Sequence, residues 1–215
     1  MYTNKILASL LLLSISATVF AQTDWKLKSD HDGIKVFTSP VPDSKVKALR
    51  VECNFQANLS QIVTVLLDVK TCTEWVYHTK SCTILKQVSP SELYYYSEVS
   101  LPWPVKNRDF VAHLTASQNA ATKVVTVDGP AVAGMVPIKD GIVRIANSKG
   151  KWIITPLQNN EVKVEYTLSV DPAGSIPAWV VNLVSSEGPI ESFKALKLQL
   201  KKTEYKNASL PFIKN

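Results

Sequence analysis

Along residues 162–170 apolar and polar positions alternate without a break. Val162, Val164, Tyr166, Leu168 and Val170 are separated by Lys163, Glu165, Thr167 and Ser169. Successive side chains of a strand point to opposite faces, so this pattern predicts an antiparallel strand with one dry face. Strand-like segments bounded by turn residues also occur at 33–40, 45–55, 81–88, 92–101, 108–118, 122–129 and 141–158. Three segments follow a helical period instead. In LSQIVTVLLDV (59–69), Ile62, Val63, Leu66 and Leu67 share a face, with Asn58 or Ser60 available as N-cap. CTEWVYHT (72–79) predicts a second, short helix. From Pro177, which suits a first helical turn, Trp179, Val180, Leu183 and Val184 and then Phe193, Leu196 and Leu200 trace an apolar stripe. Gly188-Pro189 is expected to kink or interrupt that helix, since proline removes a backbone donor and clashes with the preceding turn. The order predicts an α+β domain whose long antiparallel sheet curves around a long C-terminal amphipathic helix.

Composition narrows what such a domain can be. The 215 residues carry neither internal repeats nor low-complexity linkers, and 46% hydrophobic against 20% charged residues supports a sizeable core. The +6 formal charge is dispersed, apart from Lys194, Lys197, Lys201 and Lys202. Dispersed charge favours mild attraction to anionic surfaces rather than a nucleic-acid footprint, so no nucleic-acid partner is expected. Residues 1–21 read as a signal peptide: Lys5, an apolar run over 6–20, then Val19-Phe20-Ala21 before Gln22. The run is shorter than the roughly 20 residues of a bilayer span. The expected organisation is therefore export to the periplasm or exterior, a domain over 22–204, and a C-terminal tail at 205–215.

Candidate chemistry is sparse. Three cysteines cannot form a complete disulfide framework. Cys72 and Cys82 flank a short segment and are either paired or free, and Cys53 in a strand suits a small buried hydrophobe. Cys72, His78 and Cys82 match no compact zinc spacing and lack a fourth ligand, so neither metal nor cofactor is expected. Of His31, in the turn-like stretch SDHDG, His78, near a helix end, and His113, none has an obvious nucleophile or carboxylate partner of the kind general-base chemistry requires. GPAVAG lacks phosphate-loop spacing, and no Gly-x-Ser-x-Gly elbow occurs.

The stretch LPWPVKNRDF (101–110) raises a different possibility. Pro102-Trp103-Pro104 is stiff, cannot join a central ladder, and carries a large aromatic. Trp103 either tucks into the core or belongs to a lid over a cavity. PWPVKNRDFV resembles the loop-and-strand signature of the StAR-related lipid-transfer (START) domain, especially its phosphatidylcholine-transfer-like branch. Trp75 after the first helix, GIVRI (141–145), and IPAWVVNLVSSEGPIESFKALKLQLKK (176–202) fall in the family's order. The similarity runs over about residues 25–203. It implies a helix-grip fold with an internal cavity for a lipid or other hydrophobic ligand, non-catalytic binding with transfer or sensing, transient contact with a membrane surface, and a monomer.

Departures from the family pattern bear on the ligand. The buried arginine that cholesterol-type members resemble one another in carrying falls here on Leu114, and its acidic partner falls near the tyrosines of LYYYSEV. The charged residues that flank the tryptophan in phosphatidylcholine-type members are replaced by Thr73-Glu74 before Trp75 and Val76 after it. The resemblance then implies a mostly neutral cavity with tyrosine hydroxyls as polar handles. Strand parity places Tyr95, Ser97, Phe110, Ala112, Leu114, Tyr166 and Leu168, together with Trp75, as wall or as plain core. Trp103, Val105, Trp179 and Leu183 form the expected gate. Arg108 and Asp109 are expected to be structural ion-pair residues, the arginine tying down a loop through carboxylate or carbonyl bonds. Cyclases and aromatases on the same fold supply the alternative of acid–base catalysis. A filled-core interaction domain is the third reading.

Overall fold

A computed structural model describes residues 24–215 except 43, 45, 175, 178, 179 and 182. The chain forms β1 (Lys26–His31), β2 (Ile34–Ser39), β3 (Ala48–Gln56), α1 (Leu59–Leu67) and α2 (Cys72–Trp75). It continues with β4 (Thr79–Ser89), β5 (Glu92–Val99), β6 (Arg108–Gln118), β7 (Val125–Pro130), β8 (Val143–Arg144), β9 (Asn147–Pro156) and β10 (Glu161–Asp171). The helices α3 (Gly188–Gln199) and α4 (Thr203–Lys206) close it. The strands make one sheet in the order β1-β2-β3-β10-β9-β7-β6-β5-β4, antiparallel along that path. This is the α+β architecture the hydrophobic pattern predicts, with the strand read at 162–170 near the sheet's centre.

Three elements differ from expectation, each for a local reason. The edge strand β1 carries no alternation, because all its residues but Ser29 are exposed on both faces. Segment 141–158 is two strands. Val143 and Arg144 pair in parallel with Arg108 and Asp109 at the start of β6, and only afterwards does the chain turn to join β7 and β10. The helix predicted at 72–79 stops at Trp75, where Val76 turns extended (φ −86°, ψ 113°).

The core lies between the inner face of the sheet and the helices. On β3, Leu49, Val51, Cys53 and Phe55 point inward, with Val51 opposite Tyr166 and Cys53 opposite Val164 on β10. Helix α1 starts at a reciprocal cap. Gln61 N–H donates to Asn58 Oδ1 and Asn58 N–H donates to Gln61 Oε1, both at 2.9 Å, so Asn58 rather than Ser60 is the N-cap. Its apolar face, including Ile62, Val63 and Leu66, is buried. Before α3, Val180 and Val181 donate to Pro177 O, and residues 183–187 form π-type turns. Pro189 then occupies the first turn of α3, where its missing N–H costs nothing, so Gly188-Pro189 begins the regular helix instead of breaking it.

Residues 205–215, expected as a tail, are packed against the domain. Tyr205 and Ile213 are buried, Tyr205 Oη donates to Asp68 Oδ2 at 2.7 Å, and Ser60 N–H donates to Asn215 Oδ1 at 2.9 Å. Two apolar anchors and the unmet hydrogen-bonding capacity of α1 account for the docking. A disulfide joins Cys72 on α2 to Cys82 on β4, while Cys53 is free and buried.

Phe193 on α3 is 2% exposed and contacts Phe55 and Trp152, with ring centroids at 5.8 and 5.6 Å. Phe193→Ala is expected to lower the unfolding free energy by about 3–5 kcal/mol. Urea titration should show a lower midpoint at unchanged slope.

Candidate functional site

Side chains of the sheet's inner face and of α1, α2 and α3 leave a cavity of about 270 Å³ between them. Six residues placed on its wall by strand parity and resemblance do line it: Trp75, Tyr95, Phe110, Leu114, Tyr166 and Leu168. Ser97 and Ala112 do not. Both are 2% exposed, and each is the small partner of an aromatic across the β5–β6 ladder, Ser97 facing Phe110 and Ala112 facing Tyr95. The large members reach the cavity and the small ones stay within the wall. Ser97 Oγ instead lies 3.6 Å from the Cys82 sulfur. Trp152 and Phe193 also line the cavity. Trp152 was within reach of the same parity argument, since it sits directly opposite Tyr166.

Tyr95, Phe110, Trp152, Tyr166 and Leu168 are only half-buried although they stand on the inner face. Their free surface faces the cavity. Trp152 stacks on Tyr166 (4.2 Å) and meets Trp75 edge-on (6.2 Å), and Tyr95 meets Phe110 edge-on (5.9 Å). Protein encloses both phenols. Burial pushes the Tyr95 hydroxyl up to about 12, and burial with the nearby Tyr95 raises Tyr166 as well. Neither hydroxyl has a hydrogen-bond partner among the described residues. Trp75 Nε1 is likewise buried without a partner. Beneath them, a methyl at Gly150 would stand 3.4 Å from Tyr166 Oη, and one at Gly129 would come within 2.9 Å of Leu114 Cδ2. These paired glycines give the two wall residues their room.

The rim includes Tyr77, His78, Val99, Leu101, Pro189 and Ser192. Tyr77 N–H donates to Ser192 Oγ at 3.0 Å. His78 adopts φ 57°, held by Ser100 N–H donating to its carbonyl at 2.8 Å. Nothing in the local sequence marks His78 or Ser192 as rim residues, because a turn and a helix separated by over a hundred positions bring them together. Asp68 also lines the cavity, with its carboxylate accepting from Tyr205. His113 points away from the cavity, as parity requires, but it does have a carboxylate partner: Nε2 lies 2.7 Å from Glu92 Oε1 and the ring stacks on Tyr94. His31 is exposed at the end of β1.

At the expected gate, Trp103 is 91% exposed and does not tuck into the core. The Trp103–Pro104 peptide is cis. Val105 is half-buried and donates to Pro102 O at 3.0 Å. Trp179 lies outside the described residues, and Leu183 is described by its backbone alone, within the π-type turns. Arg108 and Asp109 act structurally but in separate ways. Arg108 meets no carboxylate among the described residues; it donates to the carbonyls of Lys106, Pro172 and Ala173, and burial lowers its pKa. Asp109 accepts from Arg144 Nε (2.6 Å), Arg144 Nη2 (3.0 Å) and Tyr96 Oη (3.1 Å). Arg144 in turn donates to Val136 O and Pro137 O. Alternation along β6 turns neighbouring residues to opposite faces, which separates the expected pair.

The buried phenols carry an alkaline signature. An unfolded tyrosine ionises near pH 10, whereas Tyr95 holds its proton up to about 12. The raised value stabilises the fold fully below pH 10, and that contribution is lost as pH climbs from about 10 to 12. Denaturation followed over this range should show a steep fall that Tyr95→Phe makes shallower.

The pattern of the START domain matches residues 11–205. An uncharacterized protein of Pseudomonas aeruginosa is 32% identical over 180 residues, covering 81% of this chain and 85% of that protein. The mitochondrial steroidogenic acute regulatory protein of Gallus gallus is 25% identical over 185 residues; the match takes in 83% of this chain and 65% of the relative's length. A crystal structure of a STAR-related lipid transfer protein from Xanthomonas axonopodis superposes with a TM-score of 0.75 at 35% identity, covering 83% of this chain and 99% of that one. The chain therefore belongs to the START domain family.

Proposed function

We propose that this protein binds one lipid or similar hydrophobic molecule in the internal cavity and carries it between membranes, without covalent chemistry. The observation that carries the reading is the aromatic wall, whose inner-face side chains keep free apolar surface that a hydrophobic guest would cover. Moving an acyl chain into water costs about 0.8 kcal/mol per methylene, so roughly 12 kcal/mol for sixteen carbons. A dry compartment offsets most of that cost. The volume of about 270 Å³ lies just below the range of ligand sites, about 300 to 1,000 Å³. A bulky lipid requires the wall to open. Against acid–base catalysis, Asp68 is engaged by Tyr205, and His78 shows ring contact with Tyr77 but no side-chain hydrogen bond among the described residues. The cavity itself argues against a filled-core interaction domain.

Membrane contact is the second part of the proposal. Trp103 (91% exposed), Ile138 (75%) and Met135 (39%) project from loops 101–107 and 131–142. The β6–β8 pairing and the Arg144 bonds hold these loops side by side. Lys106 and Lys139 are exposed among them. An aromatic and an aliphatic tip flanked by cations suit an anionic lipid interface. No helix among the described residues is long and apolar enough to cross a membrane, so contact is peripheral in this reading. Export is proposed as well, supported by the Cys72–Cys82 bond, which belongs to an oxidising compartment.

Native mass spectrometry of the purified protein, with solvent extraction, should reveal one bound hydrophobe per chain. Transfer between donor and acceptor vesicles should be measurable, and Trp103→Ala should slow it by about tenfold while leaving ligand occupancy unchanged. An empty protein inactive toward every lipid class would overturn the reading. Cell fractionation should place the chain outside the cytoplasm with residues 1–21 removed; an intact N-terminus in the cytoplasmic fraction refutes export.

A further inference from the structure

Resting on the carrier reading, we infer that the guest is an uncharged lipid whose single hydroxyl or carbonyl group docks between Tyr95 and Tyr166. These residues sit on β5 and β10, with β6, β7 and β9 between them in the sheet. The curvature brings both onto one cavity wall. Each side chain lines the cavity, and neither hydroxyl finds a partner among the described residues. A ligand oxygen between the two would give both phenols a hydrogen bond at once. Gly150 leaves the space in which the Tyr166 hydroxyl lies, since any side chain there would press on it.

Charge excludes the commoner alternatives. No lysine or arginine is found among the described residues lining the cavity, and Asp68 already supplies one carboxylate. A carboxylate or phosphate drawn inside would lose its hydration and meet a like charge. Two neutral phenols return less than that desolvation takes away. A hydroxyl or carbonyl group carries no such penalty, gives or accepts one hydrogen bond to each phenol, and leaves the rest of the molecule against Trp152, Phe110 and Leu168.

Binding of two matched pairs separates these cases: 1-hexadecanol against hexadecane, and cholesterol against cholestane, each delivered from cyclodextrin, with anionic palmitate and zwitterionic phosphatidylcholine as competitors. The oxygenated member of at least one pair is expected to bind about tenfold more tightly than its hydrocarbon, and palmitate and phosphatidylcholine to compete poorly. Tyr95→Phe and Tyr166→Phe should each reduce that preference about threefold or more, and the double variant should abolish it. Circular dichroism and the urea midpoint show that the variants are folded. Tight binding of palmitate or phosphatidylcholine, or a preference that survives in the double variant, overturns this assignment and leaves the carrier reading intact. Binding of no probe by the wild type, with nothing extracted from it, overturns both.

Discussion

The sheet presents more inner-face apolar surface than its helices cover, and the depth to which α3 can settle decides what happens to the remainder. Phe193 sets that depth. Wedged between Phe55 on β3 and Trp152 on β9, it is buried almost completely and holds the helix off the sheet by the thickness of a stacked ring. Leu196, one turn on, is also fully buried, so that end of α3 closes the core. At the other end Gly188, Pro189 and Ser192 border the cavity instead. One helix thus serves as core on one side of Phe193 and as roof on the other. The π-type turns that precede Gly188 widen the backbone where the roof begins.

Charged groups cluster where loops need fixing rather than where a ligand is held. Glu98, 6% exposed, accepts from Lys80 Nζ at 2.8 Å and Asn107 Nδ2 at 3.0 Å, and the lysine keeps its carboxyl below the usual range. Asn107 Oδ1 accepts from Leu101 N–H, which closes loop 101–107 on itself. Asp109 with Arg144 fixes loop 131–142, and Arg108 fixes the connection at 172–173. The three segments around one end of the sheet therefore hang from neighbouring positions of β5 and β6. Hydrogen bonds that fully satisfy buried charges make these anchors rigid. The tip of each loop stays free of them, which is why Trp103 and Ile138 remain exposed.

What the sequence made legible follows from range. The alternation in β10 and the Asn58–Gln61 cap are local, and each maps directly onto structure. Parity within a strand assigned the inner face correctly, down to His113 pointing outward. It did not distinguish wall from filling, because that depends on the size of the cross-strand neighbour: Ser97 and Ala112 share the face yet never reach the cavity. Pairings between distant segments were out of reach for the same reason. The parallel β6–β8 contact splits a stretch that reads as one strand, and Tyr205 docks on Asp68 across 137 positions. The edge strand β1 has no dry face, hence no period to detect.

The room left between sheet and helices is itself a physical statement. Space that side chains leave unfilled in a core costs on the order of 24 cal/mol per Å³, so about 270 Å³ forgoes roughly 6 kcal/mol of side-chain packing. That is comparable to the whole net stability of a typical domain, about 5–15 kcal/mol. Gly129 and Gly150, paired across β7 and β9, keep no side chain where one would meet Leu114 and Tyr166 of the wall. A chain under selection for stability alone moves toward filling such a void. Retaining it, lined by aromatic rings and two unpartnered phenols, is consistent with a fold whose stability is completed by its guest, since a ligand that binds only the native state stabilises it in proportion to its occupancy.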